Sequence, residues 1–286
     1  KQTAAGGGCV MLGSIIHNAA VVQELEALGA RTVDDVSQIQ PGETVVIRSH
    51  GEPVETYRAL EEKGARIVDA TCPNVARIHQ LVAKAEAEGR TPLIIGEAHH
   101  PEVLAAASRS PHSVILEGPE ELEKWLAERP ERREMPLLAV AQTTCIQTIW
   151  QNAQKILKKE CTNAEIFDTI CLATHKRQTE AAELAAKVDV MVVVGDRKSA
   201  NTKHLTEISR LRCPTVYQIE GAEELNVDFL KGCSVAGLTA GASTPAGIIK
   251  EVYATMSDEI KTMEATEESF EEMLEKSFKT LNTGEK

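Results

Sequence analysis

The chain has 286 residues, of which 42% are hydrophobic and 26% charged, a composition typical of a globular protein with room for two or three domains. Its formal net charge of −12 argues against nucleic-acid binding by this segment, because such binding needs a basic face. No apolar run is long enough to span a bilayer, and the seven cysteines lack a secretory context. We therefore expect a cytoplasmic protein with no membrane partner and no disulfides.

Strands and helices alternate along the sequence, which predicts an α/β protein with largely parallel sheets. The predicted strands are short apolar or β-branched runs at 10–12, 44–48, 92–96, 136–141, 190–194 and 235–238. The predicted helices lie at 21–28, 74–88, 101–107, 120–128, 146–159, 175–187, 200–211 and 245–256, and another begins at Pro53. The acidic stretch 259–286 carries apolar residues at helical spacing, which indicates a linker helix.

A glycine followed four positions later by a polar residue occurs three times, at 13–17, 96–100 and 195–199. Each glycine closes a predicted strand, and each repeat later supplies a second strand that ends in small polar residues. We therefore expect three similar α/β units, at 1–71, 72–168 and 169–258. The loops at their strand C-termini would face a common centre, as ligand-binding loops of open α/β sheets do.

Two cysteines occupy the same place in this repeat. Cys72 lies 24 positions before Gly96, and Cys171 lies 24 positions before Gly195. Such matched settings favour a shared ligand over two buried apolar thiols. The same spacing puts a third cysteine about 24 positions before Gly13, upstream of the first residue, so we expect the chain to be incomplete at this end. Three thiolates suit an iron–sulfur cluster with one unligated iron, and three-ligand zinc is the competing metal hypothesis.

Polar side chains lie at the strand–loop junctions of all three units. Three of them are histidines that can donate to an anion, although each alone is also typical of a turn or cap: His17, His50 and His100. Four others can cradle phosphate together with backbone amides, with ordinary N-capping as the alternative: Thr143, Ser199, Asn201 and Ser243. The remaining histidines have no repeat-related placement, and we expect them to be surface or structural residues: His79, His99, His112, His175 and His204.

Glu102 follows His100 and Pro101 at the start of a predicted helix. A first-turn carboxylate is favoured by the helix dipole, which gives it a purely structural interpretation. Its nearness to the predicted centre favours a second interpretation, in which a carboxyl group of raised pKa donates a proton beside the metal. Glu102, with His100 two residues before it, is therefore a predicted proton donor beside the metal.

Eight short motifs, in this order and with this spacing, resemble the 4-hydroxy-3-methylbut-2-enyl diphosphate reductase family over residues 10–256. They are Ile16-His17-Asn18, Arg48-Ser49-His50-Gly51, Asp69-Ala70-Thr71-Cys72-Pro73, His100-Pro101-Glu102-Val103, Gln142-Thr143-Thr144, Cys171-Leu172-Ala173-Thr174, Ser199-Ala200-Asn201 and Thr239-Ala240-Gly241-Ala242-Ser243. The resemblance implies a pseudo-threefold trefoil around a 4Fe-4S cluster held by three cysteines, two of them Cys72 and Cys171. It implies that Glu102 delivers the proton, with Thr143 helping to hold and relay at the substrate hydroxyl, so that Glu102, Thr143 and His100 are the predicted catalytic residues. It also implies diphosphate contacts from His17, His50, His100, Ser199, Asn201 and Ser243.

The implied reaction removes an allylic hydroxyl group reductively and gives isopentenyl and dimethylallyl diphosphate, with a ferredoxin or flavodoxin as electron donor. Two features depart from the family pattern. A Cys-x-Gly-Val motif upstream of the histidines is absent, and Ala200 stands where family members often carry a second serine. The alternative hypothesis is therefore an inactive or cluster-poor diphosphate-binding remnant of a fused, RNA-associated polypeptide, and the reading frame upstream distinguishes the two.

The tail from Ser269 to Lys286 resembles a linker found in some anaerobic Gram-positive bacteria. There it joins this reductase to RNA-binding repeats like those of a large ribosomal protein. The resemblance implies such repeats downstream of this segment.

Overall fold

The structure is a computed structural model, and it describes residues 8–15, 19–226 and 233–259. Within these residues, eleven strands form three sheets in which all neighbouring strands are parallel. Central strands such as Leu137–Ala141 and Val190–Val194 are apolar and buried at every position, as expected where helices cover both faces. The predicted α/β class with three similar units in a trefoil is thereby confirmed.

The first sheet has four strands in the order β2-β1-β3-β4. Its strands are β1 (Cys9–Leu12), β2 (Ala30–Val33), β3 (Thr44–Ile47) and β4 (Arg66–Asp69). Its helices are α1 (Ala19–Ala27) and α2 (Val54–Glu62). Leu60 of α2 packs on Val45 and Ile47, which fixes this helix against the sheet.

The second sheet repeats this order as β6-β5-β7-β8. Its strands are β5 (Thr91–Ile95), β6 (Val114–Leu116), β7 (Leu137–Ala141) and β8 (Ala164–Ile166). The helices of this part of the chain are α3 (Pro73–Ala87), α4 (Pro101–Ala107), α5 (Pro119–Glu128) and α6 (Gln147–Glu160). Two apolar clusters cover the two faces of the sheet, one around Trp150 and one around Ile78 and Val103.

The third sheet has the order β10-β9-β11. Its strands are β9 (Val190–Val194), β10 (Thr215–Ile219) and β11 (Ala236–Ala240), and the helices around it are α7 (Leu172–Ala185), α8 (Ala200–Arg210) and α9 (Ala246–Glu259). Within the described residues β11 pairs with β9 alone, and it is largely half-buried. Its counterparts β3 and β7 each have two neighbours and are buried throughout.

Equivalent backbone hydrogen bonds mark the repeat in all three sheets. The N–H group of each repeat glycine donates to the last residue of an edge strand, in the pairs Gly13–Val33 at 2.7 Å, Gly96–Leu116 at 3.0 Å and Gly195–Ile219 at 2.8 Å. Two of these glycines also allow a close approach that a side chain would block. A Cβ atom on Gly96 would lie 2.7 Å from Gln142, and one on Gly195 would lie 2.7 Å from Thr202 Oγ1.

The observed elements differ from the predicted ones mainly at short edge strands. The predicted strands do not include the edge strands β2, β4, β6, β8 and β10, and α7 begins at Leu172 instead of 175. Single 3₁₀ turns lie at Val36–Gln38, Pro130–Arg133 and Ala222–Glu224. The predicted linker helix lies outside the described residues beyond 259, and the unit boundaries at 71, 168 and 258 stay predictions. In the part of the chain that the structure describes, no helix is both long and apolar enough to cross a membrane.

Candidate active site

Cys72 and Cys171 stand at equivalent ends of the first two sheets. Each follows an edge strand, β4 or β8, and each is the N-cap of the next helix, α3 or α7. The N–H group of Cys72 donates to the carbonyl oxygen of Ser49 at 2.9 Å, and that of Cys171 donates to the carbonyl oxygen of Thr143 at 3.0 Å. Each cysteine is therefore held by the same kind of backbone hydrogen bond, to the loop that follows the neighbouring strand.

The loops that carry these two thiols meet. Asn74, two residues after Cys72, donates from Nδ2 to Cys171 Sγ at 3.3 Å. Both thiols are free and half-buried, so a ligand from the centre can reach them. Each stands at the positive end of a helix dipole, which favours the negative charge of a metal-bound thiolate.

The donor set fits part of an iron–sulfur site. Two converging, accessible thiols are the ligand type that such clusters require. Among the described residues no group of three or more His, Cys, Asp or Glu side chains is placed to hold a metal ion. Cys72 and Cys171 are two thiols of the kind such a site needs, and the ligand set, including a third thiolate, stays a prediction.

Three of the other described cysteines have the settings of structural residues. Cys9, Cys145 and Cys213 are buried. Burial raises the pKa of the Cys145 thiol to about 12, which keeps it protonated. Cys213 Sγ lies 3.2 Å from the carbonyl oxygen of Thr215 and packs beneath the third sheet. These side chains serve as small apolar residues of the core.

Glu102 is a buried carboxyl group that is held at both oxygens. Only 2% of its surface is exposed. The N–H group of Thr143 donates to Oε1 at 2.6 Å, and the Thr143 hydroxyl donates to Oε2 at 2.6 Å. Burial raises the pKa of Glu102, and the two bonds from Thr143 oppose that rise without cancelling it. The group is thus fixed in orientation and biased towards the protonated form that an acid needs.

His100 and His50 line the approach to this carboxyl group. His100 caps α4, and its Nδ1 accepts from the N–H group of Glu102 at 3.2 Å. The proton of the neutral ring therefore lies on Nε2, where it can be donated to an anion. The ring of His50 packs edge-on against that of His100, with centroids 5.3 Å apart. His17, the third predicted histidine, lies outside the described residues.

These contacts form a continuous path between the two cysteines. It runs through Cys72, Ser49, His50, His100, Glu102, Thr143 and Cys171, each in hydrogen-bond, ring or chain contact with the next. The path joins the first sheet to the second at their strand C-termini. It connects a buried carboxyl group and two imidazole rings with the two thiol-bearing residues.

The third unit contributes the turn at the start of α8, which carries two of the predicted anion donors, Ser199 and Asn201. Ser199 caps this helix and accepts from the N–H group of Thr202 at 3.4 Å. Asn201 is 5% exposed, and within the described part of the chain neither Oδ1 nor Nδ2 of its amide has a hydrogen-bond partner. Buried polar atoms are rarely left unpaired, so these two support the prediction of an anion contact at Asn201. Ser243 follows β11 and is half-buried.

Two residues that the sequence did not single out tie these parts together. Gln142 is 1% exposed; its Oε1 accepts from the N–H group of Glu97 at 2.9 Å and its Nε2 donates to Thr144 Oγ1 at 2.9 Å. His204, which we expected to be surface or structural, contacts Thr144 and Glu97 of the second unit through its two ring nitrogens. The position of Gln142 directly after a buried strand was a usable signal, whereas His204 carries none.

The comparisons with known proteins agree on one family. The family model described as LytB protein matches residues 1–257. The 4-hydroxy-3-methylbut-2-enyl diphosphate reductase of Caldanaerobacter subterraneus subsp. tengcongensis is 37% identical over 265 residues, which cover 90% of this chain and 87% of that protein. The protein of the same name from Desulfovibrio desulfuricans is 39% identical over 250 residues, which cover 87% of this chain and 86% of that protein.

Solved structures agree with this grouping. The E-1-hydroxy-2-methyl-but-2-enyl-4-diphosphate reductase of Plasmodium falciparum superposes with a TM-score of 0.81 at 26% identity, over 87% of this chain and 78% of that chain. A second structure is described as (E)-4-hydroxy-3-methyl-but-2-enyl diphosphate reductase, the terminal enzyme of the non-mevalonate pathway. It gives a TM-score of 0.61 at 34% identity, over 90% of this chain and 92% of that chain.

Proposed function

The chain belongs to the LytB protein family, an oxidoreductase family of 4-hydroxy-3-methylbut-2-enyl diphosphate reductases, and from this premise we propose the reaction and the residues that carry it. The function of this family is the reductive step of the non-mevalonate isoprenoid pathway. In the proposed reaction the allylic C–O bond of 4-hydroxy-3-methylbut-2-enyl diphosphate breaks. The hydroxyl group takes one proton and leaves as water, while the carbon skeleton takes two electrons and a second proton. The products are isopentenyl and dimethylallyl diphosphate.

A 4Fe-4S cluster held in part by Cys72 and Cys171 would supply the electrons and a Lewis-acidic iron to this reaction. The half-buried thiols at the helix starts support that assignment. A ferredoxin or flavodoxin is the proposed source of the electrons. RNA-binding repeats stay a prediction that concerns sequence beyond Lys286.

Glu102 is the proposed proton donor to the leaving hydroxyl group. Its raised pKa keeps a proton on the carboxyl group closer to neutral pH, where an acid of ordinary pKa would have lost it. Thr143 fixes the orientation of that carboxyl group through two hydrogen bonds, so the proton does not have to be repositioned during the reaction. The Thr143 hydroxyl, which lies 2.6 Å from Glu102 Oε2, is the proposed relay of a proton to the substrate hydroxyl.

The diphosphate is proposed to lie between the histidines of the first two units and the α8 turn of the third. His50 and His100 offer ring N–H donors from one side, and His17 is a predicted third donor outside the described residues. Ser199, Asn201 and Ser243 offer hydroxyl and amide donors from the other side, with N–H groups at the start of α8. Ala200 takes the place of a second hydroxyl donor, so only its backbone N–H group remains available there.

One observation carries the proposal: the contact path from Cys72 to Cys171 passes through His50, His100, Glu102 and Thr143. An electron-accepting site, an acid and anion donors are thus adjacent. The test is turnover of 4-hydroxy-3-methylbut-2-enyl diphosphate by the full-length protein, reconstituted anaerobically with iron and sulfide and reduced with dithionite and methyl viologen. Mass spectrometry should find both products. A cluster-loaded protein that binds inorganic diphosphate but gives no product would instead support the diphosphate-binding alternative.

A further inference from the structure

His204 lies on α8, one turn after Asn201, and its ring contacts two loops of the second unit. Its side chain is 13% exposed. Its Nδ1 lies 2.6 Å from the carbonyl oxygen of Thr144, in the loop after β7. Its Nε2 lies 3.4 Å from Glu97 Oε1, in the loop after β5. One imidazole ring therefore bridges both loops that build the acid site and links them to the third unit.

We propose that His204 is a positioning residue for the reduction, because it sets the distance between the anion-binding turn and the acid pair. This inference rests on the proposed function. Asn201 precedes His204 by one helical turn, and Thr143 precedes Thr144 by one residue. The bond from His204 to Thr144 is thus the short link between the proposed diphosphate donors and the carboxyl group of Glu102.

The hydrogen bond of Nδ1 contributes more to this link than the contact of Nε2 does. A carbonyl oxygen only accepts, so Nδ1 must be the protonated donor in the 2.6 Å contact. The Nε2 contact is longer, at 3.4 Å, and within the described residues Glu97 Oε1 accepts no hydrogen bond. Gln178 of α7 donates to the carbonyl oxygen of Cys145 at 3.0 Å and so steadies the same loop. The loop after β7 therefore keeps its position without His204, whereas the distance between this loop and α8 depends on His204.

Substitutions of His204 can separate the two nitrogens. The side-chain amide nitrogen of asparagine lies where Nδ1 of histidine lies, whereas that of glutamine lies nearer to Nε2. His204→Asn should keep the bond to Thr144 and keep kcat within about twofold of wild type. His204→Ala and His204→Gln should lower kcat about tenfold, the loss expected when one hydrogen bond no longer positions the reacting groups. Lys203→Ala, at the exposed neighbouring position, is the control and should leave kcat unchanged.

Binding of inorganic diphosphate by calorimetry supplies a readout that does not need turnover. Ser199 and Asn201 stay intact on α8, so Kd for diphosphate should change by a clearly smaller factor than kcat in His204→Ala and His204→Gln. A residue that merely holds α8 together would instead lose diphosphate affinity and kcat together. If His204→Ala does not fold, the comparison of His204→Asn with His204→Gln still decides.

Two results would overturn the inference: kcat unchanged in both His204→Ala and His204→Gln, or equal losses in His204→Asn and His204→Gln. Loss of diphosphate affinity in parallel with kcat would do the same. A failure of the proposed function is distinguishable from these, because the wild-type protein would then give no product under the same conditions.

Discussion

The N–H group of Cys171 donates to the carbonyl oxygen of Thr143 at 3.0 Å, and the N–H group and hydroxyl of the same Thr143 hold the carboxyl group of Glu102. One residue therefore fixes both a proposed cluster ligand and the proposed acid. In the first unit Ser49 holds Cys72 in the same way, and His50 follows it. The chemistry is thus built on loops that follow the central strands, next to the helix starts that carry the thiols.

Glu102→Gln should keep the cluster but lower turnover by about a hundredfold or more, because a positioned acid typically contributes that much. The amide has the shape of the carboxyl group and can still accept from the N–H group of Thr143, so the local structure should persist. Turnover is measured by product formation, and the cluster by its visible absorption. Glu120→Gln is the matched control, since Glu120 follows a proline in the first turn of α5 but is exposed. Near-normal turnover in Glu102→Gln would remove Glu102 from the acid role.

The stability of the protein should depend on pH through Glu102. Burial raises the pKa of this carboxyl group above its ordinary value of 4.5, so the fold favours the protonated form. That stabilising contribution is complete below about pH 4.5 and is lost as the pH rises through the raised pKa. Glu102→Gln cannot ionise and should therefore gain stability relative to wild type as the pH rises from ~5 to ~8.

Thermal unfolding followed by circular dichroism across this pH range measures the difference in Tm between the two proteins. The exposed control Glu120→Gln should differ from wild type by an amount that does not change with pH. A wild-type protein that gains Tm relative to Glu102→Gln as the pH rises would show the opposite sign and contradict the buried-acid account.

Asn201→Leu should change stability and ligand binding in opposite directions. Removing two buried amide atoms that have no partner in the described structure should raise the free energy of unfolding by ~1 kcal/mol. The same change should weaken binding of inorganic diphosphate about tenfold, because its donor is lost. Urea unfolding and calorimetry measure the two effects.

Ser209→Ala is the matched control for Asn201→Leu. Its Oγ is also buried without a partner in the described residues, and it lies on the same helix two turns further on. This variant should gain stability without a change in diphosphate affinity. Unaltered diphosphate binding in Asn201→Leu would mean that the Asn201 amide of the wild-type protein does not contact diphosphate.

Thiol alkylation should separate the proposed ligands from the core cysteines. In the folded, metal-free protein iodoacetamide should label the half-buried Cys72, Cys161 and Cys171. Cys145 should stay unlabelled, because it is 4% exposed and burial raises its pKa to about 12. After reconstitution with iron and sulfide, Cys72 and Cys171 should be protected while Cys161 still reacts. Peptide mass spectrometry reads out each site, and equal labelling of Cys145 and Cys72 would contradict the assigned burial.

The sequence predicted the parts of this molecule that depend on chain spacing. The equal distance from each cysteine to the next repeat glycine predicts equivalent positions for Cys72 and Cys171, and in the structure both are N-caps that follow edge strands. Apolar runs such as 190–194 were predicted as buried strands for a similar reason, since every residue in them points into apolar surroundings.

The parts that depend on packing between units were not predictable in this way. The edge strand β2 reads Ala-Arg-Thr-Val, and only its ends are buried, so it lacks the apolar run of a central strand. His204 is one histidine on an amphipathic helix, and only the approach of the second unit gives its two nitrogens their partners. The two hydrogen bonds from Thr143 to Glu102 join residues that are far apart in the chain. The burial of the unpartnered Asn201 amide likewise depends on packing that the sequence pattern does not show.

The most direct test of the central claim is the cluster content of cysteine variants of the full-length protein. Wild type, Cys72→Ser, Cys171→Ser and the control Cys161→Ser are reconstituted anaerobically with iron and sulfide, and iron content and visible absorption are measured. Cys161 is a matched control because it is also free and half-buried, but it follows α6 and lies apart from the contact path. The account predicts loss of the cluster absorption in Cys72→Ser and Cys171→Ser and its retention in Cys161→Ser. Retention of the full signal in both Cys72→Ser and Cys171→Ser would contradict it.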